Sequence, residues 1–228
     1  MKGSKYMIWA LALTAGALGM YWLTSRPHAY RYKVTVEVET PDGPRIGFAV
    51  REIRWQDGAQ ITPEADMAAM TERGEAVMVQ LHDGRILFAL LSPDVHQTVN
   101  AAFGSGIAAK LAARDEGKVV VLAPPVQPEA TWGESGYPRL VRFVDLTDPS
   151  TAEKIVPTNL ASSFGSGTSL KQITVQMTDE PVTSRVESYL PWLSNYRSRM
   201  LDGERFHQVQ SPRVASHLNT LAFLRNDE

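Results

Sequence analysis

The chain has 228 residues, of which 43% are hydrophobic and 21% charged, with a formal net charge of -2. That balance belongs to folded proteins and excludes long disorder, while the absence of a basic excess removes the electrostatic footprint of a nucleic-acid binder. With no cysteine there are no disulfides, thiolate metal sites or cysteine nucleophiles.

In chain order the first feature is the run Tyr6 to Thr24, YMIWALALTAGALGMYWLT, which contains no Asp, Glu, Lys or Arg. As a helix its 19 residues extend roughly 28 Å, close to the hydrocarbon thickness of about 30 Å. Tyr6 and Trp9 at one end and Tyr21 and Trp22 at the other stand where interfacial rings anchor a spanning helix. A cleavable secretory signal is the competing reading, with Lys2 and Lys5 as its basic region, but the bulky MYWLTSRPH that follows offers no A-x-A-like site. The expectation is therefore an uncleaved single-pass anchor. Ala12 with Gly16, and Ala15 with Gly19, are small-xxx-small pairs that let a second spanning helix approach. Lys2 and Lys5 before the run nearly balance Arg26, Arg31 and Lys33 after it. The short N-terminal tail ahead of a large domain suits a signal-anchor with the domain outside the cytoplasm, here the periplasm.

Beyond residue 29 the predicted elements are mostly strands. YRYKVTVEVE (30 to 39) alternates at period two, TPDGPR turns, and IGFAVREIRW resumes, giving a hairpin with Val34, Val36 and Val38 on its apolar face. Pro63 to Glu72 reads as a short helix, and Gln60 to Gly74 equally as a long loop. EAVMVQL, HDGR and ILFALLS form a second hairpin, with Asp83-Gly84 supplying positive φ values. Ser105 to Arg114 is Ala-rich and reads as a helix capped by Ser105 and ended by Gly117, followed by the strand KVVVL. Ala123 to Pro138 contains too many prolines for a ladder and marks a loop, a possible boundary within the domain. PRLVRFVDL then reads as a strand, TDPS as a turn, PTNLASSFG as a short helix and LKQITVQMTD as a strand. Val182 to Tyr189 and Ala215 to Leu224 give weaker helical or extended signals. The sum is seven or eight strands with two to four short helices. That predicts an α+β, β-rich fold: an anchor over 1–29 and an antiparallel-sheet domain over 30–228, sandwich or barrel-like.

The motifs that could carry chemistry are weak. Gly104-Ser105-Gly106-Ile107-Ala108-Ala109 fits a loose dinucleotide fingerprint, but no strand enters it and no acidic residue follows at the right distance. Phe-Gly-Ser-Gly occurs at 103 to 106 and at 164 to 167, and neither copy is a nucleophile elbow. The five histidines fall singly, without metal-ligand spacing. Asp115-Glu116 and Asp179-Glu180 sit in turn-like contexts, where solvated carboxylates are common. No catalytic, cofactor or metal residue is expected. Trp132, Tyr137 and Trp192 are candidate partner or ligand contacts, with Trp192 equally suited to plug a core.

Five phrases carry a resemblance: YKVTVEVETPDG (32 to 43), RGEAVMVQLHDGRILFALL (73 to 91), YPRLVRFVDLTDPSTAEKIVP (137 to 157), LKQITVQMTDEPVT (170 to 183), and YLPWL with LDG (189 to 193, 201 to 203). They resemble a group of uncharacterised proteobacterial membrane-anchored proteins with an N-terminal hydrophobic segment. The resemblance covers most of the soluble part and implies a bacterial inner-membrane or envelope setting and a β-rich body. It assigns no activity and no residue role. The expected function is a non-catalytic accessory or interaction protein, with the lipid bilayer and a membrane protein as partners. The alternative is an anchored enzyme or ligand-binding domain with a cleft between its halves.

Overall fold

The computed structural model of the chain describes residues 28–55, 70–125, 136–207 and 211–226. The anchor run, its Ala12, Ala15, Gly16 and Gly19 pairs, its Tyr6, Trp9, Tyr21 and Trp22 rims, and Trp132 lie outside them, as does most of the Pro-rich loop. Among the described residues no helix is long and apolar enough to cross a membrane.

The fold is α+β and rich in strands, with two antiparallel sheets and a few short helices. One sheet is six-stranded, in the order β10-β3-β2-β1-β9-β6. Its members are β1 (His28–Glu39), β2 (Arg45–Trp55), β3 (Met70–Glu75), β6 (Val119–Val121), β9 (Ser169–Thr178) and β10 (Leu224–Arg225). The other runs β4-β5-β7-β8, from β4 (Val77–Gln80), β5 (Ile86–Ala89), β7 (Leu140–Phe143) and β8 (Ala152–Ile155). Among the described residues the α-helices are α1 (Gln97–Phe103), α2 (Ile107–Asp115), α3 (Ala161–Phe164) and α4 (Val186–Tyr189).

The chain divides into two compact units, Met1–Ala29 with Ile53–Thr71, and Tyr30–Glu52 with Glu72–Glu228. In the smaller unit, His28 stacks on Trp55 with ring centroids 5.2 Å apart. The larger unit holds the four-stranded sheet and the groove described below.

Period-two alternation forms β1 as expected. Tyr30, Tyr32, Val34, Val36 and Val38 are buried, and the intervening residues are half-buried. β9 answers it in register, Val34 opposite Val175 and Val36 opposite Ile173, until a bulge at Glu37/Val38 shifts the pairing. The second hairpin also stands, with Val77 opposite Ala89 and Gln80 opposite Ile86. Asp83 and Gly84 take φ of 59° and 73°, the turn geometry that matches the twist of the flanking strands.

The four-stranded sheet packs an aromatic core. Phe88 meets Phe143 edge-on at 5.6 Å and Phe223 at 5.9 Å, and Trp192 meets Phe143 at 5.3 Å. Leu90, Val186, Leu190, Leu193 and Leu218 close around them. The C-terminal segment is tied in by its backbone: Ala76 N donates to Phe223 O and Leu91 N to Ala222 O.

Several local expectations are corrected. Met70–Glu75 is strand, neither the end of a helix nor of a loop, because Glu72 and Glu75 are drawn inward by buried partners. Ser105 is not a cap: α2 begins two residues later, after Gly106, whose φ is 96°. α1, β8 and β10 had no periodic signal long enough to stand out. Phe103 and Phe164 each close a short helix as a buried ring, followed by a glycine whose N–H bonds back four residues. The two Phe-Gly-Ser-Gly copies thus share a helix stop.

Candidate functional site

β2 starts with exposed apolar side chains and ends with buried charged ones, and the two features are linked. Along its first half runs an open groove of about 510 Å³, lined by Pro44, Arg45, Ile46, Gly47, Phe48, Met78, Gln80, Arg185 and Tyr189. Ile46 is 62% exposed, Phe48 36% and Tyr189 37%, an unusual grouping of large apolar surface in one concavity. Gly47 lets β4 pass close beneath: a Cβ there would lie 2.0 Å from Met78 O. Gln80 Nε2 donates to Tyr189 Oη and fixes the far rim.

The Arg185 wall is held from inside the protein. Its guanidinium stacks 4.8 Å from the Phe48 ring centroid, and its Nη2 donates to Phe48 O. Lys33 approaches the same ring at 5.5 Å. The fully buried Glu75 carboxylate accepts from the backbone N–H of Arg185 and from that of Val186 at 2.7 Å, so it caps α4 from a neighbouring strand. α4 in turn carries Tyr189 into the groove. Two residues beyond Phe48 along β2, Val50 N donates to Thr183 Oγ1 at 3.1 Å and Thr183 N to Val50 O at 3.2 Å, so the 183–185 segment borders this strand.

Behind the groove lies a polar interior. Arg51 is fully buried; its Nε donates to Glu75 O at 3.0 Å and its Nη2 reaches Ala89 O at 3.5 Å. Among the described residues Arg51 Nη1 has no hydrogen-bond partner. Tyr32 Oη and Arg225 Nη1 both donate to the Glu72 carboxylate, and Arg225 Nη2 donates to Ser92 O. Burial, with the Glu72 charge as a second cause, pushes the Tyr32 phenol well above its ordinary range. Burial raises Tyr137 to about 12 and lowers Arg139 to about 10, the latter helped by nearby Arg225. All of these shifts keep the groups in their neutral-pH forms, and none poises a group to exchange a proton near neutrality.

Tyr137 is buried, and Trp192 sits against the aromatic core with Nε1 donating to Leu146 O at 2.7 Å. Neither lines the groove around Phe48. The sequence pattern alone hides these residues: IGFAVREIRW reads as one alternating strand and Arg185 lies in a stretch of weak signal, so two large apolar residues, Ile46 and Phe48, at the exposed start of β2 are the available signal.

Two histidines separated by ten positions do meet: His217 Nδ1 and His207 Nε2 are 2.9 Å apart, and His217 Nε2 lies 2.7 Å from Ser211 O. Ser216 Oγ donates to Asp202 Oδ2 at 2.6 Å, so the buried hydroxyl engages a carboxylate and not an imidazole. That is the wiring of a loop clasp, without the nucleophile-to-base hydrogen bond of acyl transfer. Among the described residues no three acidic or histidine side chains gather in a way that could hold a metal.

No family model matches the chain, and no curated protein and no solved structure matches it either.

Proposed function

We propose that the protein is a non-catalytic, single-pass membrane-anchored interaction module of a bacterial envelope. The groove beside Phe48 receives an extended, acidic segment of a partner membrane protein. One observation carries this reading: Ile46, Phe48, Met78 and Tyr189 expose apolar surface in a concavity bordered by Arg45 and Arg185. An occupant with alternating apolar and carboxylate side chains matches both features, the apolar ones gaining from burial and the acidic ones from the Arg45 guanidinium, since Arg185 is already paired with Glu75. Arg45 has no ion pair among the described residues and is available to such a carboxylate.

The sequence supports the anchor through the length of Tyr6 to Thr24 and its aromatic rims. Its Ala12/Gly16 and Ala15/Gly19 pairs give a partner's spanning helix a place to pack. In the finer architecture the two sheets act as a sandwich-like body, held by the anchor on the periplasmic face of the inner membrane.

The test places a photo-cross-linking amino acid at Ile46 in the native organism's membranes, with the exposed Val144, just past β7, as a control. The reading expects one discrete protein adduct at Ile46, lost when Arg45 is changed to Glu. Adducts that are equal at both positions, or indifferent to Arg45→Glu, overturn it.

A further inference from the structure

α2 is built inside out. Its sequence, IAAKLAARD, would ordinarily turn Ile107 and Leu111 inward and leave Lys110 in water. Instead Lys110 is 5% exposed, whereas Ile107 is 40% and Leu111 45% exposed. Ala108 and Ala112 are exposed beside them, so positions 107, 108, 111 and 112 form one unpartnered apolar stripe over a full turn. The inverted orientation is held firmly. Lys110 Nζ lies 5.7 Å from the Tyr30 ring centroid and donates to Gly106 O at 3.3 Å, while Ala113 is buried on the same side. Burying an ammonium against a ring costs desolvation, visible in the lowered pKa of Lys110. A helix that accepts this cost and leaves its leucine outside has a second environment for its outer face.

Tyr30, which holds Lys110, identifies that environment. Only Ser25 to Ala29 separate Tyr30 from Thr24, the last residue of the apolar run. Six residue steps at about 3.5 Å each reach roughly 20 Å, so Tyr30 and the helix fastened to it stay within that leash of the lipid. Resting on the anchor reading above, we infer that the outer face of α2, led by Ile107 and Leu111, lies in the headgroup region of the bilayer that holds the anchor. Ile107 and Leu111 enter the boundary between headgroups and acyl chains, as amphipathic helices lying in a membrane surface do. The consequence is orientation: a domain pinned at both its leash and α2 presents a fixed side to its partner instead of swinging freely.

The native chain contains no cysteine, so single labelling sites can be added to the full-length protein without removing any. Leu111→Cys, Ile107→Cys, Val144→Cys and Gly16→Cys are each labelled with an environment-sensitive fluorophore. Each is then reconstituted in phosphatidylcholine/phosphatidylglycerol vesicles with or without brominated acyl chains. Near-ultraviolet circular dichroism checks that each variant is folded. The expected result is quenching by about twofold at Leu111 and Ile107, strong quenching at Gly16, and almost none at Val144. If Gly16 is quenched while Leu111 and Ile107 behave like Val144, the anchor stands and the α2 inference is overturned. If Gly16 is not quenched, the anchor reading fails and the inference falls with it. Labels at Leu111 that are shielded in native membranes but unquenched in vesicles assign the face to a protein and overturn contact with lipid.

Discussion

The four-stranded sheet buries Phe88 and Phe143 against Phe223, whereas β2 and β3 of the six-stranded sheet bury Arg51, Glu72 and Glu75. The aromatic side is held by area and close packing, which is largely indifferent to direction, pH and salt. The polar side is held by groups that are costly to bury unless each finds its partner at the right angle. That cost brings a positional gain: Glu75 fixes the start of α4, α4 places Tyr189, and Arg185 is locked over Phe48. The groove therefore takes its shape from the polar half, and the stability of the domain rests mainly on the aromatic half.

Phe223 carries the largest expected effect on the aromatic side. Phe223→Ala should cost about 4 kcal/mol, read by urea unfolding, because three aromatic neighbours lose their packing around one cavity. Glu72→Gln should cost about 3 kcal/mol, leaving the Arg225 guanidinium without its carboxylate. Unlike the Phe223 variant, it should lose much of that penalty when Arg225 is also changed to Met. Gly47→Ala should cost about 2 kcal/mol, since the new methyl meets the Met78 carbonyl, and should disturb the groove before the core.

Tyr32→Phe should cost about 1 kcal/mol at pH 7, and that cost should shrink above pH 10. The sign follows from the raised phenol pKa. Below the unfolded value near 10 the tyrosine is neutral in both states and its contribution is complete. As pH climbs from there towards the higher folded value, the unfolded chain releases a proton that the native state keeps. Stability then falls by about 1.4 kcal/mol per pH unit for each such tyrosine. Tyr30 and Tyr137 contribute in the same direction, so the wild-type domain should weaken steeply in alkali and the Phe variant less so. Arg45→Glu should change stability by less than about 0.5 kcal/mol, as an exposed surface change, while abolishing the Ile46 cross-link.

Much of the fold was legible because β1, β4, β5 and β9 announce themselves by period-two alternation and by Asp83-Gly84. What escaped was what tertiary contacts decide. β2 buries Ala49 through Ile53 without alternation, since both of its faces and part of its edge are covered, so AVREI carries no strand-face signal. Met70 to Glu75 looks like a charged loop or helix end until Tyr32, Arg225 and Arg185 arrive from far along the chain. α2 misleads in the opposite way, its amphipathic sequence lying against the domain with the wrong side in. The groove needed three segments to converge, and only the exposed placement of Ile46 and Phe48 hinted at it. The anchor, in contrast, is an expectation read from the sequence alone.

The account depends on Tyr6 to Thr24 staying in the bilayer. The direct measurement is the intact mass of the protein recovered from native membranes, taken together with its partition after an alkaline carbonate wash. A full chain of 25.2 kDa that stays with the lipid pellet is the expected result. A shortened chain starting near Tyr30 and released into the supernatant would contradict it.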